Sequence, residues 1–355
     1  MTGVQESAPS PATPALAPPP FAVIPGGQVR RVLQGRERDV VDLVEATYRL
    51  HGAGDSVNPP SYFLRFPDRP NARIIALPAS IGGPARTDGL KWISSFPDNV
   101  AAGLPRASAV LILNDPATGY PFAVLESSII SATRTAASAA LAADRLSRDR
   151  ARPARVGFIG TGLIARYIHT FLAGTGWTFD EVGVHDLAAA SAQGFRGYLE
   201  RSGGPGRITV HDDAESLIRS SDLVVLATVA ARPYLHDPAW FAHNPLVLNV
   251  SLRDLAPEIL LAGANVVDDV DHCLKADTSP HLVEQLTGNR DFLDGTLDDV
   301  MAGRVTLPTD RPVVFSPFGL GVLDLAVGRY VYDEVVRAGE LTVIEDFFHE
   351  LSRHG

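Results

Sequence analysis

The sequence predicts an α/β protein built from two parts, and three observations carry that prediction. Residues 61–126 contain short runs rich in β-branched and aromatic residues (SYFLRF, ARIIALPA, GLKWISSF, ASAVLILN), separated by Gly, Pro, Asp and Asn. After the polar run RLSRDRARP, apolar strands alternate with helical or loop segments (RVGFIG, EVGVHD, SDLVVLATV, PLVLNVS, NVVDDV). Such alternation implies a parallel sheet with helices on its faces. The chain, at 355 residues and 45% hydrophobic, is long and apolar enough for two domains with a sizeable core.

Taken in order, the chain opens with MTGVQESAPSPATPALAPPP, which holds six prolines and no basic residue. It reads as a disordered, partly extended tail over residues 1–27 rather than a secretory signal. GRERDVVDLVEATYRL, residues 36–51, places Val40, Leu43, Val44 and Tyr48 at helical spacing, the pattern of an amphipathic helix. The runs of 61–126 then predict an antiparallel sheet. Within it DPATG, between ASAVLILN and YPFAVLES, reads as a hairpin turn. Residues 127–149 read as a helix rich in Ala and Ser, ending at a domain boundary. From about residue 281 onward the pattern is mostly helical. The sequence contains no internal repeat and no apolar run near the ~20 residues that span a bilayer.

The formal net charge of −10 argues against a general nucleic-acid binder. One cysteine, Cys273, allows neither an intrachain disulfide nor a thiolate metal cluster and suits a reducing cytoplasm. The histidines show no ligand spacing, so no metal is expected, and His185 and His272 read as strand-end residues.

RVGFIGTGLIARYIHTFL carries the clearest motif. An apolar strand, Val156–Ile159, runs into Gly160-Thr161-Gly162-Leu163-Ile164-Ala165 and then a helical pattern. Gly160 suits a tight turn, Gly162 lets backbone approach a pyrophosphate, and Ala165 keeps the helix against the strand. The free N–H groups of that helix start favour phosphate. The next strand ends in Asp186, 21 residues past Ala165. A carboxylate there accepts from the adenosine ribose and repels a 2′-phosphate, so the expected cofactor is NAD rather than NADP. These features define a Rossmann-type NAD-binding domain, expected over residues 151–316. The other part is an α+β substrate and dimerisation domain, expected over 28–150 with 317–355.

Ahead of the nucleotide motif, Arg65, Arg73, Lys91 and Arg134 each fall within a predicted strand or helix, flanked by apolar residues. Each alone could be a snorkelling surface side chain. Together they suggest a converging cationic pocket for an acidic ligand.

GLKWISSF, NDPATGYPFAVLES, SATRTAASAALAA, the glycine turn and LNVSLRDLAPEI occur in the order found in the ornithine cyclodeaminase/mu-crystallin family. The sequence resembles that family over roughly residues 28–350. ARIIALPASIGG, GLKWI, VLILNDPATGYPFAVLESSIISATRTAA and FSPFGLGVLD are similar to its branch of dehydrogenases that form L-2,3-diaminopropionate. The resemblance implies that Lys91 and Arg134 hold a substrate carboxylate, with Lys91 also polarising the reacting centre. Arg65 is placed with them by spacing. Asp254, in LNVSLRD, would be the catalytic base. Thr135, Thr228, Ser251 and Gly319 would line the cofactor with the glycine turn, and a homodimer would form through the N-terminal sheet.

Ornithine cyclodeaminases carry an acid in the strand matching ARIIALPA, to meet a distal amine. Here Ile75 holds the apparent position, with Arg73 nearby. That exchange disfavours a diamine and suits a substrate with three carboxylates. The expected reaction is NAD-dependent oxidative cleavage of a diaminopropionate–glutamate secondary amine, serving siderophore or peptide-antibiotic biosynthesis. A cyclodeaminase or imino-acid reductase of the same family, and a non-catalytic small-molecule binder, are the alternatives. The carboxylate at position 254 speaks against the binder.

Overall fold

In a computed structural model, residues 19–84, 86–203 and 206–349 are described, and they form two eight-stranded sheets. The first begins at strand β1 (Phe21–Ile24), inside the stretch expected to be a tail. Phe21, Ala22 and Ile24 are buried, and β1 pairs with a later strand, so ordered structure starts sooner than the proline content suggested. The disorder expected for residues 1–18 lies outside the described residues.

Helices α1 (Gly26–Leu33) and α2 (Glu37–Gly52) follow. Helix α2 turns Val40, Val41, Val44 and Tyr48 inward, as the helical spacing requires. Strands β2 (Ser56–Val57), β3 (Tyr62–Phe66), β4 (Arg69–Ile81), β5 (Thr87–Ser95), β6 (Ala107–Asn114) and β7 (Pro121–Glu126) pair antiparallel, with β2 and β3 both on β4. Asp115 ties the β6–β7 turn by accepting from the N–H groups of Ala117 and Thr118. The sheet is not wholly antiparallel, because β1 joins β7 in parallel.

Helix α3 (Ser128–Leu146) crosses to the second domain. Its buried Ala132, Ala136, Ala139, Ala140 and Ala143 bring it close to α2 on one side and to the first helix of the nucleotide domain on the other.

The second sheet is parallel throughout. It comprises β8 (Arg155–Ile159), β9 (Glu181–His185), β10 (Arg207–Val210), β11 (Leu223–Leu226), β12 (Leu246–Asn249), β13 (Ala264–Val267), β14 (Leu293–Thr296) and β15 (Val313–Ser316). Their spatial order is β10-β9-β8-β11-β12-β15-β13-β14. Four strands, β11, β12, β13 and β15, are buried at every residue, as expected for a sheet covered on both faces. Between them run α4 (Leu163–Gly174), α5 (Ala189–Arg201), α6 (Ala214–Arg219), α7 (Pro257–Ala262), α8 (Val270–Cys273), α9 (Ser279–Thr287) and α10 (Leu297–Met301). The stretch after residue 281 is therefore not mostly helical: β14 and β15 complete the sheet, and β15 lies between β12 and β13. His272 also departs from expectation. It sits in the short helix α8, where its Nε2 lies 3.0 Å from Asn58 Nδ2 and 3.1 Å from the Pro59 carbonyl of the first domain.

Helix α11 (Gly321–Arg337) returns to pack against α2, β4 and β5, and β16 (Thr342–Ile344) closes the first sheet beside β1. The α11 residues Val322, Leu323, Leu325 and Val327 are fully buried. Each is worth roughly 1.5–3 kcal/mol relative to exposure, which holds the returning segment to a domain begun some 300 residues earlier. No helix among the described residues is long and apolar enough to cross a membrane.

Candidate active site

The nucleotide motif lies at the C-terminal end of β8. Gly160 takes φ +83°, and a side chain there would press on the Ala227 backbone at 2.7 Å, so the turn admits only glycine. Gly162 caps α4 with no side chain bonded to its first turn, which leaves Leu163, Ile164 and their neighbours presenting free N–H groups. Asp186, just past β9, lies against the same turn, and Thr161 donates to its Oδ2 from both backbone N (2.9 Å) and Oγ1 (2.8 Å). A glycine-only turn, an open helix start and an adjacent carboxylate fit an adenine dinucleotide.

A second group of residues is drawn from β5, α3 and α11. Lys91 is 2% exposed and donates to Asp324 Oδ2 at 2.6 Å, with Ser131 Oγ at 3.3 Å. Arg134 donates from Nε to Asp324 Oδ1 at 3.3 Å. One fully buried carboxylate thus serves two cations, which leaves a net positive charge and the outer edge of the Arg134 guanidinium for a ligand anion. Burial lowers the Lys91 pKa to about 8; the Arg134 charge adds to that effect and Asp324 opposes it. The guanidinium rests on Gly319, where φ is +93° and an added Cβ would lie 2.4 Å from Arg134 Nη1. Asp268 fixes that loop by accepting from the N–H groups of Phe318 and Gly319 at 2.9 and 2.7 Å. Gly319 therefore contacts Arg134 and brings it to the C-terminal edge of the second sheet. Buried Cys273 lies beside Asp268, and its burial raises its pKa, as for an inert thiol.

Asp254 stands at that same edge, beyond β12. It is fully buried, accepts from Thr228 Oγ1 at 2.7 Å and Tyr234 Oη at 3.1 Å, and has Ser251 against it. Burial raises its pKa, while these three hydroxyls pull it back. Thr228, expected beside the cofactor, donates to Asp254, and Ser251, expected there too, lies against the same carboxylate. Thr135 bonds its own helix, donating to the Ser131 carbonyl at 2.7 Å, on the helix that packs against α4.

Arg65 and Arg73 do not join the Lys91–Asp324–Arg134 group. They pair with each other across β3 and β4, and exposed Arg65 lies over the Phe63 ring, 5.1 Å from its centre. Sequence reasoning missed Asp324, Asp268 and Tyr234. Asp324 had a signal: an acid within LGVLDLAVG is as anomalous as Arg134 within its alanine-rich helix.

The glycine turn on a parallel sheet, beside a first sheet that carries the buried Lys91–Asp324–Arg134 cluster, accords with an NAD-dependent oxidoreductase, the class of its relatives. The model of the ornithine cyclodeaminase/mu-crystallin family matches residues 29–339, and the chain belongs to that family. It is 29% identical over 307 residues to N-((2S)-2-amino-2-carboxyethyl)-L-glutamate dehydrogenase of Staphylococcus aureus, spanning 83% of this chain and 89% of that one. An archaeal alanine dehydrogenase dimer with bound NAD superposes with a TM-score of 0.81 at 26% identity, covering 92% and 99% of the two chains. The Thermococcus litoralis Delta(1)-pyrroline-2-carboxylate reductase shares the fold, with a TM-score of 0.82 at 21% identity, covering 92% and 100%.

Proposed function

We propose that the protein oxidatively cleaves N-(2-amino-2-carboxyethyl)-L-glutamate to L-2,3-diaminopropionate and 2-oxoglutarate, with NAD+ reduced to NADH. The observation that carries this reading is the face of β4 beside Lys91. Its residues there are Arg73, Ile75, Leu77 and Ala79, with no carboxylate to receive a distal amine, Ile75 at the expected position and a guanidinium one row away. The similarity to the Staphylococcus aureus dehydrogenase supports the same substrate.

Arg134 and Lys91 grip the carboxylate next to the reacting carbon, and this fixed geometry supplies much of the catalysis. Bound NAD+ supplies the acceptor for the hydride of the glutamate Cα. Asp254, through the hydroxyls that hold it, takes the amine proton as the C=N bond forms. It releases that proton to solvent, takes one from the water that adds to the imine carbon, and returns it to the nitrogen that leaves. The carbinolamine collapses with C–N cleavage, and the nitrogen leaves with diaminopropionate. The sum is conjugate, NAD+ and water giving 2-oxoglutarate, diaminopropionate, NADH and a proton. A second copy of the chain covers the outer face of the first sheet, where Tyr62, Leu64, Trp92 and Val110 are exposed together.

Incubation with NAD+ and the conjugate, and separately with ornithine, tests the reading by mass spectrometry. NADH accumulating in step with 2-oxoglutarate supports it. Proline and ammonia from ornithine, with no NADH from the conjugate, would replace it with cyclodeamination.

A further inference from the structure

The substrate proposed above brings more carboxylates than Lys91 and Arg134 can hold, and a separate set of arginines stands nearby. Register places Arg65 opposite Arg73, and Arg73 opposite Ser95. Residues opposed in an antiparallel sheet share a face, and alternate residues return to it. This row therefore lies on the face that carries Lys91, beyond the Ile75–Ile93 row, with Leu77 opposite Lys91. Four residues along β4 amount to roughly 13 Å of backbone, the scale of a five-carbon dicarboxylate held between two long side chains.

Arg106, just before β6, joins the row by donating from Nη1 to Ser95 Oγ at 2.7 Å. Arg253 arrives from the nucleotide domain, next to Asp254, and donates to the Ala276 carbonyl at 3.0 Å. Burial lowers the Arg73 pKa, and the nearby positive charges of Arg106, Arg253 and Arg65 lower it further. Among the described residues none of the four forms an ion pair with a carboxylate, and Arg73 Nε is buried without a partner. The neighbouring acid, Asp254, makes no ion pair with them among the described residues; its oxygens accept from Thr228 and Tyr234. Like charges gathered in a half-buried row without a counter-ion are unfavourable unless a ligand anion completes them.

We propose that Arg73, Arg106 and Arg253, flanked by Arg65, form an anion subsite spanning both domains that takes the distal carboxylate of a dicarboxylic substrate. Arg106 and Arg253 are its specificity-determining members. The inference deepens the function proposed above and rests on it for the natural ligand. There, the bound group is the γ-carboxylate of the glutamate half. Because Arg253 adjoins Asp254, the same contact draws the loop of the base onto the sheet.

Calorimetric titration of the protein–NADH complex with 2-oxoglutarate and with 2-oxopentanoate, which has the same chain length and no distal carboxylate, tests this. 2-Oxoglutarate is expected to bind about tenfold to a hundredfold more tightly, the worth of hydrogen bonds to a charged group. Arg106→Gln and Arg253→Gln should each remove most of that preference while leaving the affinities for NADH and 2-oxopentanoate unchanged, and Arg253→Lys should retain part of it. Equal binding of the two acids, no binding of either, or an equal loss for both in the variants overturns the subsite. If the preference and its arginine dependence hold while the conjugate yields no NADH, the proposed reaction fails and the subsite stands. NADH formation without any preference removes the subsite alone.

Discussion

Asp324 Oδ2 accepts from Lys91 Nζ at 2.6 Å, and this bond joins residues 233 positions apart in a place closed to water. The same carboxylate meets Arg134 through its other oxygen. Removing it would strand two cations. Asp324→Ala should therefore destabilise the fold by about 3–5 kcal/mol, read from urea unfolding near pH 7. A Lys91→Met, Arg134→Met, Asp324→Leu triple variant should recover much of the loss, because a buried ion cluster can be replaced by apolar bulk. A loss below about 1 kcal/mol in the single variant would show that the pair does not organise this core.

Lys91 titrates near 8 rather than at the usual 10.5, so it is charged below about pH 8 and neutral above. A carboxylate grip requires the charge. kcat/KM for the conjugate should fall as pH rises through about 8, and Lys91→Arg should flatten that limb if it folds. The stability contribution runs the other way. The folded pKa lies below the unfolded one, so protonation favours the unfolded chain, and this group's contribution to stability rises with pH between about 8 and 10.5. A pH-independent kcat/KM from 7 to about 9 would remove Lys91 from substrate binding.

Asp186 holds Thr161 at the glycine turn, so its charge sits where the adenosine ribose belongs. Asp186→Ser should weaken NAD+ binding and narrow the preference over NADP+ by about tenfold or more, the worth of one like-charge contact near a surface. Fluorescence titration with both cofactors checks this. Equal affinities in the native protein would defeat it.

Asp254→Asn should leave NAD+ affinity nearly intact and lower kcat by roughly 10²–10⁴-fold, the usual cost of a lost general base. Tyr234→Phe gives a separate readout. Its hydroxyl is one of the three donors that lower the Asp254 pKa, so without it that pKa rises and the acid limb of kcat moves to higher pH. A reduced kcat with an unmoved limb would make Tyr234 a packing residue only.

Tyr62, Trp92 and Val110 lie in register on the sheet face opposite Lys91, and Trp92 is 40% exposed. Trp92→Glu should convert a dimer to monomers in sedimentation velocity. A native protein that sediments as a monomer ends the proposal.

The features legible in the sequence were those whose chemistry forbids alternatives. Gly160 must be glycine because backbone lies 2.7 Å from where its Cβ would go, and Arg134 was conspicuous among alanines. Asp324, though set among apolar residues, escaped because its partners Lys91 and Arg134 lie 233 and 190 positions away, and only the return of α11 onto β5 brings them together. VVFS and LDGT escaped for another reason. Four residues cannot reveal a period, and what makes Val313–Ser316 a strand is its place between β12 and β13. Arg106 and Arg253 were beyond reach because their meeting with Arg73 depends on sheet register and domain docking together.

The route of α11 also orders events during synthesis. Lys91 and Arg134 leave the ribosome long before Asp324, and the whole nucleotide domain is made in between. Until then the cleft of the first sheet is a cationic notch without its anion, and the sheet lacks both the helix that roofs it and the strand that closes its β1 edge. The nascent chain can complete its second domain before its first. A growing chain therefore lacks the carboxylate that orders Lys91 and Arg134 until its last helix has docked.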